Sequence, residues 1–130
     1  MAQQKTSISA GLIVYDLLSK DEVVRAKATK IYPLVADNPV LPYVFYAVTA
    51  LTQDPTKAGY PGADKVEVQV ACCTTDYAEG ADLAEAVRAA LDHRRAEKDG
   101  MTMRSCTLTD YNERWENDAF IRYLVFTIKI

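Results

Sequence analysis

Histidine, cysteine and tryptophan are scarce in this sequence, and their scarcity removes most familiar kinds of catalytic or metal site. The 130 residues contain one histidine, three cysteines and one tryptophan. Because two cysteines are adjacent and no CxxC pair exists, we expect no disulfide framework, which favours a reducing cytoplasm. The single histidine is not expected to complete a zinc site, because adjacent cysteines on a strand point to opposite faces and Cys106 is distant in sequence. The sequence therefore predicts no metal and no cofactor.

Long apolar runs and an excess of positive charge are also missing. No apolar segment approaches the roughly 20 residues that are needed to cross a bilayer. The N-terminal residues predict an amphipathic helix, and a signal peptide is not expected. The formal net charge is −3, whereas nucleic-acid binding requires clustered lysine and arginine. We therefore expect neither a membrane partner nor specific nucleic-acid binding.

The composition that is present is typical of one globular domain over residues 1–130, since 49% of residues are hydrophobic and 25% are charged. Apolar spacing and turn residues predict two short helices, at 9–18 and ending near 28. They also predict an extended edge segment at 31–35 and a strand at 43–52. Ser19 and Glu22 are spaced as a capping box for the second helix, and Pro33 confines its segment to a sheet edge. Residues 53–64 predict a loop.

The second half of the chain predicts a strand, a long helix and two final strands. Alternation in "KVEVQVACCTT" predicts a half-buried strand, and Asp76 with Glu79 forms a capping pair for the helix that follows. "MTMRSCTLTDY" and "AFIRYLVFTIKI" predict an antiparallel hairpin with the polar tip "NERWEND". The whole order predicts an α+β two-layer sandwich, with a mostly antiparallel sheet and helices on one face.

The adjacent cysteines could be either packing residues or a thiol site. Neighbours on a strand point to opposite faces, so Cys72 and Cys73 cannot jointly hold a tetrahedral metal. Cys72 is predicted to be a small buried hydrophobe. Cys73 precedes a helix N-terminus, which would lower the pKa of its thiol. A thiol-dependent enzyme using Cys73 and His93 is therefore one alternative, although His93 is better explained as a helix C-terminal residue.

Two further groups could carry chemistry but are better explained as surface turns and loops. Four carboxylates flank the single tryptophan, Trp115, and lack the regular spacing of calcium loops. They belong to Asp110, Glu113, Glu116 and Asp118. Gly59 and Gly62 are followed by no GK[ST] motif, so they do not form a phosphate-binding loop. No enzyme is predicted from these motifs.

Two strands are apolar on both faces, which is unusual for a small sheet that has helices on one side. The last strand alternates apolar residues on both sides from residue 120 to residue 128, and the strand at 43–52 does the same. Such strands are either central and sheltered by loops, or they expose a second face for another subunit. A small-ligand-binding module that uses the tyrosine-rich sheet is a further alternative.

The order of segments resembles that of the tail completion, or tail terminator, proteins of long-tailed bacteriophages and prophages. The resemblance rests on "KIYPLVADNPVLPYVFYAV", "VEVQVACCTTDYAEGADLAEAVRAAL" and "DYNERWENDAFIRYLVFTI", and it spans roughly residues 12–130. It implies a small sandwich fold, a structural role and a ring homo-oligomer, most simply a hexamer. Such a ring caps the head-proximal end of the tail tube and joins the head–tail connector protein.

The resemblance also suggests which residues contact neighbouring subunits. The loop at 53–64 and the "NERWEND" segment are the candidates, with Tyr60 and Trp115 as aromatic anchors. Tyr123 and Arg122 on the last strand are further candidate assembly contacts. A mildly acidic ring would let DNA pass without binding it. The implied partners are other copies of the chain, the tail tube protein and the connector, met in the host cytoplasm and retained in the virion tail.

Overall fold

A computed structural model describes residues 5–34, 40–53 and 64–130. Within these residues the chain forms a five-stranded sheet, a second sheet of two strands and three α-helices on one face. The order of elements is a 3-10 turn at Ser7–Ser9, α1 Ala10–Lys20, α2 Glu22–Lys27, β1 Ile31–Pro33, β2 Tyr43–Thr52, β3 Lys65–Thr74, α3 Tyr77–Leu91, β4 Ala96–Lys98, β5 Met101–Met103, β6 Ser105–Glu116 and β7 Ala119–Lys129. The predicted α+β class is confirmed.

The five-stranded sheet has the order β1-β2-β3-β7-β6. β1 is parallel to β2, and every other neighbouring pair is antiparallel. β1 lies at the edge, as Pro33 predicts, because proline has no N–H to donate to a further strand. β2, β3 and β7 are interior strands. On the face of β3 away from the helices, Lys65 and Glu67 are exposed, so only part of that face is sheltered.

The core lies between the helices and one face of the sheet. Residues at alternate positions of β3 point toward the helices and are fully buried. These are Val66, Val68, Val70 and Cys72. Helix α3 meets them through the apolar stripe of Leu83, Val87 and Leu91, and its N-terminus is capped as predicted, since Asp76 accepts a hydrogen bond from the Glu79 amide at 3.0 Å.

The cap of α2 differs from the prediction. Asp21, not Ser19, accepts hydrogen bonds from the amides of Val23 and Val24, both at 3.0 Å. Ser19 remains inside α1, and its hydroxyl lies 3.4 Å from the Asp16 carbonyl. The capping-box prediction is wrong because α1 continues two residues beyond residue 18, which leaves Asp21 as the first non-helical residue.

The polar segment "NERWEND" is mostly strand, which corrects the prediction of a tip. β6 continues through Glu116, and only Asn117 and Asp118 form the turn. Both have positive φ, 50° and 59°, as in the type I′ turns that match strand twist. The hairpin is consequently longer than the sequence suggests, and its register shifts between Leu108 and Asp110.

A short hairpin of β4 and β5 was not predicted. It turns at Asp99 and Gly100, which have φ of 52° and 81°, and it places Met101 and Met103 in the core. Lys98 Nζ lies 2.8 Å from Asp16 Oδ2, which joins this hairpin to α1. No described helix is long and apolar enough to cross a membrane.

Candidate assembly surfaces

The adjacent thiols are buried, which removes the basis for a reactive cysteine. Cys72 and Cys73 end β3 on opposite faces, and neither is exposed. Burial raises the pKa of the Cys73 thiol. The expectation of a lowered pKa is therefore wrong, because loss of water outweighs any effect of the α3 N-terminus. Cys106 in β6 is likewise buried, and the pKa of its thiol is raised to about 12.

His93 lies at the far end of the sheet from Cys73. It follows α3 with a positive φ of 63°, and its amide donates to the Cys106 carbonyl at 2.7 Å. Cys106 lies in register with Ile128, which is paired with Val66 at the start of β3. Since Cys73 is at the other end of β3, the two side chains cannot act together. The helix-end position predicted for His93 is confirmed.

The acidic residues around Trp115 do not form one cluster. Asp110 and Glu116 point to the face of the sheet without helices, whereas Glu113 points to the helix-bearing face. Among the described residues, no group of three or more histidine, cysteine, aspartate or glutamate side chains could hold a metal ion.

The end of the β6–β7 hairpin is an exposed arm. Every residue from 109 to 118 is exposed, and we call this segment the hairpin arm. Among the described residues β6 pairs only with β7, so the other backbone edge of the arm faces outward. Trp115 is 56% exposed and packs edge-on against Phe120, with ring centroids 4.6 Å apart. An exposed indole on an open strand edge is suited to contact with another protein.

Arg122 fixes the base of this arm from inside the protein. The side chain is only 4% exposed, and its guanidinium donates to Glu113 and to the Tyr111 hydroxyl. It also donates to the Tyr77 carbonyl at 3.0 Å and lies over the Tyr77 ring, 4.3 Å from its centroid. Among the described residues, Arg122 Nε is a buried nitrogen without a hydrogen-bond partner.

The Arg122 network also holds the aromatic residues that support Trp115. The Tyr77 hydroxyl donates to Glu113 at 2.9 Å, and the Tyr77 ring meets Phe120 edge-on at 5.5 Å. Phe120 in turn supports Trp115. Arg122 was predicted to be an assembly contact, and its burial indicates that any contribution to assembly acts through the residues it positions.

The face of the sheet that bears no described helix, the outer face, carries a second apolar cluster. Its buried members are Ala71, Cys73 and Ile121, and its partly buried members are Leu41, Tyr43, Phe45 and Tyr123. Burial and a hydrogen bond with Cys73 raise the pKa of Tyr43 to about 12. The Arg114 guanidinium lies 5.6 Å from the Tyr123 ring centroid. Tyr123, a predicted contact, is therefore half-buried on the outer face.

Sequence patterns did not indicate a third surface, an apolar groove between α1 and the β1–β2 edge. It has a volume of about 420 Å³ and is lined by Ile8, Ser9, Gly11, Leu12, Pro33, Leu34, Tyr46, Ala47 and Val48. Leu12 in α1 is 40% exposed and forms part of the groove wall. The spacing of apolar residues could have indicated this surface, because residues 12, 13, 14, 17 and 18 cover more of the helix circumference than one narrow buried stripe. Tyr60 and most of its predicted loop lie outside the described residues.

The fold is a small α+β sandwich that exposes aromatic and apolar side chains at the hairpin arm and at the groove beside α1. A family profile described as "Tail completion protein gp17" matches residues 13–130, so the chain belongs to this family of tail completion proteins. This confirms the resemblance seen in the sequence and gives the chain a structural role in a phage tail.

One solved structure with the same fold is described as "Virion of native gene transfer agent (GTA) particle". The TM-score is 0.73 and the identity is 20%, over 89% of this chain and 90% of that chain. At this identity the likeness establishes the fold alone. The comparison with curated proteins gives no match.

Proposed function

We propose that this tail completion protein works as a single domain that assembles into a ring, most simply of six copies. The ring caps the head-proximal end of the tail tube, stops tube growth and joins the head–tail connector protein. The observation that carries the proposal is the hairpin arm, in which an open strand edge and Trp115 are exposed together. In a chain of this family such a surface is best explained as a contact between subunits.

The related fold in the gene transfer agent virion supports a place in an assembled particle. The partners are then further copies of the chain, the tail tube protein and the connector, and the finished location is the virion tail. The net charge of −3 suits a ring around a DNA channel, because weak repulsion lets DNA pass without binding.

The proposal predicts a defined mass and a defined effect on tubes. Light scattering behind size exclusion should give a mass near six times the 14.4-kDa chain at high concentration. Tail tube protein polymerised with the chain should give shorter tubes that carry density at one end in electron micrographs. A chain that neither associates in solution nor limits tube length would contradict the proposal.

A matched pair of variants separates the arm from general surface effects. Trp115→Ala should weaken both association and tube capping, because it removes the exposed aromatic of the arm. Val23→Ala, at a half-exposed apolar position on α2, should leave both unchanged. If the two variants associated and capped tubes equally well, Trp115 would not be part of the interface. The capping role would then be judged only from the effect of the unmodified chain on tube length.

A further inference from the structure

The groove beside α1 exposes large apolar side chains to water, which is unfavourable for a monomer. Ile8 is 79% exposed and Leu34 is 69% exposed, and Leu12 and Val48 are also exposed. These four side chains line the 420 Å³ groove, which we call the edge groove. A contiguous apolar surface of this kind, with a concave shape, is typical of a protein-binding site.

Leu34 adds a second observation at the same place. Its φ is 59°, a left-handed backbone conformation that is uncommon for a residue with a branched side chain. The amide of Leu34 donates to the Tyr46 carbonyl at 2.7 Å, which holds the residue in this conformation at the end of β1. A fixed, strained residue thus projects an apolar side chain beside the groove.

The edge groove and the hairpin arm lie at opposite edges of one sheet but on the same face. β1 is the first strand of the order and β6 is the last. Trp115 is in register with Phe120, which is paired with the helix-facing Thr74, so Trp115 lies on the helix-bearing face. The groove lies on that face too, because α1 forms one of its walls.

Strand direction and charge both permit two copies to meet edge to edge. β2, β3, β7 and β6 are successively antiparallel, and β1 is parallel to β2. β6 of one copy would therefore run antiparallel to β1 of the next. The outer face of the arm carries Asp110, Glu116 and, paired with Glu116, Arg114, so two negative charges stand against one positive charge. Exposed Lys30 stands at the start of β1 with its ammonium over the Tyr32 ring. These opposite charges favour this pairing over two like edges.

We propose that Trp115 of one copy binds in the edge groove of the next copy, in a head-to-tail contact that repeats around a ring. This inference rests on the proposed ring and identifies the two surfaces that form its joint. Because the two surfaces differ, the contact is heterologous, and repeated rotation closes it. The groove accepts an indole, and docking would remove from water the apolar side chains that both surfaces expose.

The test uses two variants, each lacking one surface. Trp115→Thr removes the indole and retains strand propensity. Leu34→Asp removes an apolar groove residue, and aspartate tolerates the left-handed conformation better than leucine does. Each variant alone should need at least about a thirty-fold higher concentration for half-assembly, as expected for loss of a binding hot spot. Val23→Asp, on α2, is the matched control and should assemble as the unmodified chain does.

An equimolar mixture of the two variants gives the decisive result. Trp115→Thr keeps an intact groove and Leu34→Asp keeps an intact indole, so together they can form one joint and should give 1:1 dimers. Trp115 is the one tryptophan of the chain. In the mixture its emission therefore comes only from the Leu34→Asp variant, and docking of the indole should shift that emission to shorter wavelength relative to Leu34→Asp alone.

Three outcomes would overturn the inference. If the unmodified chain forms rings and both variants still form them, the joint lies elsewhere and the proposed function stands. If the variants are monomeric and their mixture shows neither dimers nor an emission shift, the contact is not heterologous. If the unmodified chain stays monomeric at every concentration and does not cap tubes, both the proposed ring and the proposed contact are wrong. Circular dichroism of each variant confirms that the comparison is between folded proteins.

Discussion

Gly80 in α3 lies against Thr74 and Arg122, and replacing it with alanine tests how closely this helix packs on the sheet. A Cβ atom at this position would lie 2.7 Å from Thr74 Oγ1 and 3.0 Å from Arg122 Nε. Neither neighbour can move freely. The Thr74 hydroxyl donates to the Asp76 carbonyl at 2.8 Å, and Arg122 is held by the network that supports the hairpin arm.

Two opposing terms decide the effect of Gly80→Ala. Alanine is favoured over glycine in a helix by up to about 1 kcal/mol. Overpacking of a filled contact costs about 1–3 kcal/mol, and displacing either neighbour loses a hydrogen bond worth about 0.5–1.5 kcal/mol. Steric overlap should therefore win, and the free energy of unfolding should fall by about 1–2 kcal/mol. For a domain of this size the melting temperature should fall by roughly 3–8 °C.

Gly11 in α1 is the matched control, because a Cβ there would meet its neighbours without overlap. A Cβ there would lie 3.6 Å from Tyr46 Cε2 and 3.8 Å from Val48 Cγ2, which is ordinary contact. Gly11→Ala should therefore stabilise the chain by up to about 1 kcal/mol. Urea denaturation followed by far-UV circular dichroism, at a concentration where the chain is monomeric, measures both changes. If both variants gained stability equally, the close approach at Gly80 would be refuted.

Three further predictions follow from charge, thiol burial and turn geometry. The Asp92 side chain is buried, which raises the pKa of the carboxyl, but a hydrogen bond from the Leu108 amide and neighbouring positive charge give a net lowered pKa. The stabilisation from the Asp92 carboxylate is therefore present above the unfolded pKa of about 4 and is lost as pH falls through the folded pKa. In urea titrations Asp92→Asn should be less stable than the unmodified chain at pH 7 and should lose less stability on acidification. Parallel stability profiles of the two proteins against pH would contradict this. The three cysteines should resist a thiol reagent at pH 8 in the native chain and react in denaturant, and rapid native labelling would show that burial does not protect them. Asp118→Gly should raise the unfolding free energy by about 0.5 kcal/mol, because glycine is favoured at this positive-φ position, and a loss of stability would argue against the type I′ turn.

The elements that could be predicted are those whose signals are local. β2 begins and ends where its β-branched and aromatic run does, at residues 43 and 52. Helix α3 begins after Asp76 because the capping bond spans only three residues. The apolar residues on both faces of β7 left two interpretations open, a sheltered strand or an exposed second face, and the strand is interior with its outer face partly half-buried.

The features that could not be predicted depend on contacts between distant residues. Nothing near Arg122 in sequence shows that it reaches Tyr77, which lies 45 residues away. The polar residues of the hairpin arm suggest a loop because they are solvated, yet pairing with β7 keeps them in a strand. The edge groove is formed by residues from α1, β1 and β2, so its shape exists only after these elements pack.

Burying an arginine beneath an exposed arm costs desolvation free energy, so its role is better sought in rigidity of the arm than in stability. A buried ion pair is a weak source of stability, and apolar replacements are often neutral. Arg122 does, however, connect the α3 N-terminus to the strand that carries Trp115, through Tyr77 and Phe120. An arm held in this way loses little side-chain and backbone entropy on docking, which strengthens binding without adding contacts. Substitutions at Gly80 and Arg122 should therefore weaken assembly although neither residue is on the surface, and this separates a buried positioning role from a direct contact.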